Sequence, residues 1–162
     1  MLLRSIPLLP VLLSLHACSG PSGDPCTTFF TPYPDHYAGV ERNRNNARFL
    51  EAMAPYQAQD YPAAAASLGD YVRVTGANPM ARLYLASSLL AIGKPFEAEM
   101  HLDVFERSRL KEARDEAEWY TLLCWVCSDQ YDRALPEARR IAAMKLHSYA
   151  RQADALAKTL DR

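Results

Sequence analysis

After residue 43, apolar residues recur every three or four positions almost without a break. Leu83, Ala86 and Leu90 form one such stripe, with Leu85, Leu89 and Ile92 beside it. Tyr120, Leu123, Cys124 and Cys127 form another, flanked by Trp119, Leu122 and Val126. This is the period of α-helices with a buried face. It predicts seven helices, at about 43–58, 61–74, 80–92, 95–107, 111–127, 131–143 and 147–160. The segment around 117–127 is apolar nearly all round, which marks it as central.

The breaks between these segments carry stop and start signals. Asp60 before Tyr61-Pro62, and Lys94 before Pro95, put proline in a first helical turn, where its missing N–H costs nothing. Gly76-Ala77-Asn78-Pro79 ends one helix and restarts the next. Pro136 falls early enough in its helix to be tolerated. Pro55 falls inside the first expected helix, where it implies a kink or a cost of about 3 kcal/mol.

The helical segments also repeat. Ala64 and Ala98 lie 34 residues apart, as do Leu68 and Leu102, Tyr71 and Phe105, Ala52 and Ala86, and Leu50 and Tyr84. A third copy places Ala134 at 36 residues from Ala98, so it carries a small insertion. Thirty-four is the period of tetratricopeptide repeats, each a helical hairpin, and the chain resembles that family. The stretch EAEWYTLLCWVCSDQYDRALPEARRIA is similar to the terminal repeat of many small bacterial tetratricopeptide proteins, although Asp129-Gln130 replaces the usual glycine-acidic turn. The resemblance implies an all-α, tetratricopeptide-like array of about three antiparallel helical hairpins plus a C-terminal capping helix, over residues 43–162.

The N-terminus is organised differently. Residues 1–17 have one charge, Arg4, and an apolar run from Ile6 to Leu15. The run is shorter than the roughly 20 residues a spanning helix needs, so it reads as a cleaved export signal. Leu15-His16-Ala17-Cys18 resembles the lipobox of bacterial lipoproteins. That resemblance implies a signal peptide over 1–17, acylation of Cys18 and anchoring in the lipid bilayer of the cell envelope. Two or three acyl chains anchor stably where one does not, since each buried CH₂ contributes about 0.8 kcal/mol. Ser19, where Asp would favour inner-membrane retention, points to the outer membrane facing the periplasm. An ordinary secretory signal with a nearby cysteine is the competing reading. Residues 18–42 are rich in proline and glycine and read as a flexible tether. Its aromatic cluster of Phe29, Phe30, Tyr33 and Tyr37 is unusual for a tether and suggests either packing against the first helix or contact with a partner or membrane.

Composition narrows the function. The chain has 162 residues, 49% of them hydrophobic, and a formal net charge of −1. That suits one helix-rich globular domain and gives no basic field for nucleic acid. With Cys18 acylated, Cys26, Cys124 and Cys127 remain, an odd number that does not suggest a disulfide framework. Cys26 reads as a thiol that pairs with another chain or stays unpaired. Cys124-Trp125-Val126-Cys127 is a C-x-x-C motif late in an apolar helix, whereas a reactive one sits at a helix N-terminus. Core packing is the better reading of it, and an envelope thiol oxidoreductase the weaker. His36, His101 and His147 show no metal-ligand spacing with Cys, Asp or Glu. Acids and bases such as Lys111 and Asp115, or Arg114 and Glu118, sit as i,i+4 pairs on a solvated face. No catalytic residue, metal ligand or cofactor is assigned.

Surface is what remains. In tetratricopeptide arrays the first helix of each hairpin lines a concave groove that receives a partner. By position, the groove here takes Phe49, Met53 and Tyr56 from the first repeat, and Leu83, Ser87 and Leu90 from the second. Trp119 and Leu123 come from the third. The expectation is a non-enzymatic, membrane-anchored scaffold that binds envelope proteins through this groove; the alternative is a self-associating assembly subunit, a homo-oligomer.

Overall fold

The helix that follows Asp60 shows how locally the architecture is written. Asp60 accepts the Ala63 N–H at 3.1 Å, Pro62 occupies the first turn, and Gly76 closes the helix with φ +70° and its N–H on Val72 O. The next helix is capped by Asn78, which accepts the Ala81 N–H at 3.1 Å ahead of Pro79. These devices satisfy backbone groups that a bare helix end leaves unpaired. The computed structural model describes residues 23–76, 78–107 and 113–161. The expected export signal and Cys18 lie outside the described residues, as does Lys111 of the expected Lys111–Asp115 pair.

The described residues are all-α: α1 (Pro25–Phe29), α2 (Ala47–Gln57), α3 (Tyr61–Thr75), α4 (Pro79–Ala91), α5 (Pro95–Arg107), α6 (Arg114–Val126), α7 (Tyr131–Ala143) and α8 (Ala150–Leu160). Seven match the expected helices, with three late starts. At α2, Asn43 and Asn46 hold a turn through residue 46, with the Asn45 and Asn46 N–H groups on Asn43 Oδ1 and the Asn43 N–H on Asn46 Oδ1. At α6, Ala113 takes a left-handed φ of +60° immediately before the helix. At α8, a turn from Met144 to Ala150 replaces the first expected helical turn. The short α1 was not expected; Asp24 caps it by accepting the Cys26 and Thr27 N–H groups. Pro55 sits in the last turn of α2, and the acceptor it fails to pair belongs to exposed Glu51. Pro136 lies beyond the first turn of α7, inside a continuous helix.

The repeat is geometric as well as compositional. The three tight helix–helix turns place Gln59, Gly93 and Asp129 at φ +59°, +72° and +58°. Each is followed by the same bond across the turn: Asp60 N–H to Pro55 O, Lys94 N–H to Leu89 O, and Gln130 N–H to Trp125 O. Four residues further on, Ala64, Ala98 and Ala134 are each completely buried, where the second helix of a hairpin meets the first. The Asp129 turn therefore performs the glycine turn without a glycine.

Consecutive helices from α2 to α8 pack on one another, and α2 also touches α4, and α4 touches α6. These three make an inner row, with α3, α5 and α7 outside it. α4 is the most enclosed element: every residue from Ala81 to Leu90 except Arg82 is buried. The sequence pointed to α6 as central, and α6 shares that position. Polar ties fix the outer row. Glu99 of α5 accepts from Trp125 Nε1 at 2.7 Å and from Arg133 at 3.0 Å, with the Arg133 guanidinium 4.4 Å from the Trp125 ring centre. Glu118 pairs with Arg140 of α7, and Asp115 accepts from the N–H and hydroxyl of Ser148, so both bind across helices instead of along α6.

Candidate interaction groove

The eight residues assigned to the groove do lie on the inner row, but none of them is open. Phe49, Met53 and Tyr56 of α2, Leu83, Ser87 and Leu90 of α4, and Trp119 and Leu123 of α6 are all at most 6% exposed. The expectation of a free groove is corrected: these residues belong to the core, and a segment of the chain lies over Phe49, Tyr56 and Ser87. Residues 29–37, FFTPYPDHY, leave α1 at Phe29 and run across the inner row without helical structure from Phe30 on; we call this segment the strap. The tether expected over 18–42 is therefore not a tether where it is described: Tyr33 is 6% exposed, and Phe29, Phe30 and Tyr37 pack against the core. The aromatic cluster spans the inner row and is not confined to the first helix.

The strap is held mainly by its own backbone. The Tyr33 N–H donates to Ser87 Oγ at 2.8 Å, and the Tyr56 hydroxyl donates to Tyr33 O at 2.6 Å while lying 3.0 Å from Ser87 Oγ. The Tyr84 hydroxyl donates to Pro34 O and receives the His36 N–H, both at 3.0 Å. The Tyr120 hydroxyl donates to Thr31 O at 2.7 Å. Two prolines keep this backbone extended, and each also removes an N–H that would need a partner.

One side chain is read as well. The Tyr33 ring enters between Tyr84 and Tyr120, with centroids at 5.1 and 5.9 Å, and the second contact is edge-to-face. Tyr37 meets Phe49 edge-on at 4.8 Å. Pairs of this geometry add roughly 0.5–1.5 kcal/mol beyond their buried area. Trp119 stacks on Tyr149 at 5.2 Å and, with Phe29, Thr31, Pro32, Pro34 and Tyr120, lines a cleft of about 200 Å³ beside the strap. Burial, with lesser repulsion from Glu116 and Tyr37, pushes the Tyr33 hydroxyl up to about 12. Burial likewise raises Tyr56, Tyr84 and Tyr120, so all remain neutral donors at any ordinary pH.

Sequence reasoning missed Tyr84 and Tyr120 as groove residues. The signal was present: they are 36 residues apart, the same offset as Ala98 and Ala134, so the two successive repeats put one hydroxyl at one inner position.

A disulfide joins the start of the strap to the array. Cys26 in α1 is bonded to Cys127, just past α6, across a sequence separation of 101. Both cysteines are half-buried. This corrects two expectations: Cys26 is neither free nor paired with another chain, and the chain does contain a disulfide; it also leaves the weaker redox reading of the C-x-x-C without Cys127 as a partner for Cys124. Cys124 is a free, buried thiol whose pKa is raised by burial first and by Glu99 and Asp103 second, the opposite of a reactive cysteine.

His36 belongs to the strap, with its ring 5.2 Å from that of Tyr33, whereas His101 and His147 lie apart from the groove. His101 borders Arg82, and burial followed by that charge lowers its pKa. His147 is enclosed 3.8 Å from Asp115 and 3.7 Å from Glu118, with Nε2 unpaired. Among the described residues no three His, Cys, Asp or Glu side chains converge as a metal site, and no helix is long and apolar enough to cross a membrane.

The chain matches no protein-family model, no curated protein and no solved structure.

Proposed function

We propose that this chain is a lipid-anchored, non-enzymatic interaction module of a bacterial envelope, built as a tetratricopeptide-like array. The observation that carries the reading is the inner row of α2, α4 and α6 gripping an extended segment by its main chain. A surface that reads backbone carbonyls and N–H groups with fixed hydroxyls is suited to peptide recognition. The recurring left-handed turns at Gln59, Gly93 and Asp129, with the buried alanines that follow them, support the repeat family. The Cys26–Cys127 disulfide supports an oxidising compartment independently of the lipobox-like sequence. The lipid on Cys18 would confine the module to a surface and raise its effective concentration toward membrane-bound partners.

Cell fractionation tests the anchor. Cys18→Ala should release the chain from the membrane pellet into the soluble fraction; continued membrane residence of the variant would refute lipid anchoring at that residue. In-cell photocrosslinking from Gln57, exposed at the edge of the groove, tests the module. A discrete envelope protein should be captured, and the absence of any captured protein would count against it.

A self-associating subunit is the second reading. Phe96 and Met100, one turn apart on α5, are 63% and 71% exposed, an apolar pair of the kind that copies of a chain bury against each other. Light scattering over a concentration series should then show a dimer or larger species, and a monomer throughout would dismiss it.

A further inference from the structure

We infer that the strap is a displaceable ligand held in its own groove, with the Cys26–Cys127 disulfide as the lock, and that the opened groove takes an extended Pro/Tyr-bearing segment of another polypeptide. The inference rests on the interaction-module reading above and gives it a ligand class and a control.

The groove has the chemistry of a binding site more than that of a permanent core. The strap's main chain is met by four side-chain hydroxyls, those of Tyr56, Tyr84, Ser87 and Tyr120, at Thr31, Tyr33, Pro34 and His36. If the strap leaves, water can satisfy each of these hydroxyls, so the vacated surface has no stranded polar group. Only Tyr33 inserts fully; Thr31, Pro34 and His36 have exposed side chains. Such a site selects for an extended backbone, for prolines where no N–H is needed, and for one tyrosine at the centre. Many positions of the ligand are left unread, as suits a groove that accepts a segment from a different chain.

The strap is restrained at both ends. Its start is tied through Cys26 to the end of α6, and its exit passes through exposed residues 38–45 to the Asn43–Asn46 turn and α2. With both ends fixed, a ligand in trans competes against a loop that cannot move away. Reduction removes one restraint. An envelope dithiol would break the Cys26–Cys127 bond by exchange: two electrons and two protons pass to the two sulfurs, which become thiols, and the donor closes to its own disulfide. The strap's covalent link to the array is then residues 38–46 alone, and what holds its start is the non-covalent packing of α1 on α6 and α8, which a competing segment can displace. Cys124 takes no part, because its buried thiol is kept protonated.

The probe is a fluorescein-labelled peptide of residues 27–38, TTFFTPYPDHYA, titrated with the purified full chain and followed by anisotropy. The oxidised chain should not bind it. The chain reduced with dithiothreitol, and a Cys26→Ser, Cys127→Ser variant without reductant, should bind it saturably while keeping their helical circular dichroism. Tyr33→Ala in the reduced chain should tighten binding of the peptide by about tenfold, because it frees the groove of its internal competitor. The same change in the peptide should weaken binding by about tenfold. No binding to a reduced chain that stays helical would overturn the inference, and so would loss of helicity on reduction, since the strap would then be a fixed part of the core. Binding accompanied by disulfide-linked dimers on reoxidation would assign the groove to a second copy of this chain and overturn it equally. None of these outcomes depends on acylation of Cys18, so a failure here leaves the fractionation result standing.

Discussion

Ala98 in α5 and Tyr33 in the strap are both buried, yet they are held in place by different means. Ala98 has counterparts in Ala64 and Ala134, and each follows a turn that makes the same backbone bond. Its surroundings are made by residues a few positions away or one repeat away, and apolar packing suffices. Tyr33 has no counterpart. Its backbone is bonded to Ser87, 54 residues on, and its neighbour Thr31 to Tyr120, 89 residues on. The array is a periodic structure held by apolar packing, whereas the strap is an aperiodic, aromatic-rich segment held by backbone hydrogen bonds and one covalent link. A strap of this kind can be weakened without dismantling the scaffold beneath it, and the following tests separate the two.

The largest effect should come from the covalent link. Replacing both Cys26 and Cys127 by serine removes a cross-link closing a loop of about 100 residues, worth about 4 kcal/mol through the unfolded chain. Urea denaturation should show that loss, with helical content before the transition unchanged. A drop in native helicity would mean the array needs the strap to fold, and the contrast between the two regions would collapse. Next in size is a change confined to the array. Leu102→Ala, at 1% exposure in α5, should cost about 3 kcal/mol by leaving a cavity. It should leave binding of the strap peptide to the reduced chain intact, and a loss of both together would show that the outer row also shapes the groove.

The same contrast explains how far the sequence could be read. Helix positions, the proline starts and the 34-residue period follow from local patterning, so the bounds of α3, α5 and α7 fall within a residue of expectation. Residues 23–42 gave no such pattern. Gly and Pro richness reads as a tether because composition reports local stiffness, and it cannot report that Tyr56, Tyr84 and Tyr120 wait on distant helices. The eight residues expected in a groove are buried on α2, α4 and α6, because periodicity reports which residues share a helix face and not whether that face is open. Cys26 and Cys127 illustrate the limit most plainly: counting three cysteines gives no pairing, because the pairing is fixed by where α1 lands on the end of α6.

A smaller effect should come from the hydroxyls. Tyr56→Phe leaves Tyr33 O without its donor and the Ser87 hydroxyl without its acceptor and should cost about 1–2 kcal/mol. Unlike Tyr33→Ala, it should leave the affinity of the reduced groove for the strap peptide nearly unchanged, because strap and peptide lose the same bond. Alkaline titration sharpens the point. The folded pKa of Tyr33 lies above its unfolded value of 10.0, at about 12. The associated stability is therefore fully present below pH 10 and is lost as pH rises through about 12. Absorbance at 295 nm in the native chain should show part of the tyrosine titrating late, together with a loss of near-ultraviolet dichroism from the strap. Normal titration of every tyrosine would mean the strap does not shield its groove.

The smallest effect concerns the turns, where the repeat is the same but the residue differs. Gln59 and Gly93 occupy equivalent positions with φ near +59° and +72°, a region that costs a residue with a Cβ roughly 1 kcal/mol. Gly93→Ala should therefore destabilise by about 1 kcal/mol, although its added Cβ would meet open space. Gln59→Gly should relieve the matching strain and stabilise by somewhat less, since glycine also frees the unfolded chain. Asp129 is the poorer site for the experiment because its carboxylate accepts the Tyr131 hydroxyl at 2.8 Å, so a glycine there removes a bond along with the strain. Paired urea midpoints for Gln59→Gly and Gly93→Ala should move in opposite directions. If they move together, the two turns do not share one backbone requirement, and the regularity that sets the array apart from the strap does not extend to its corners.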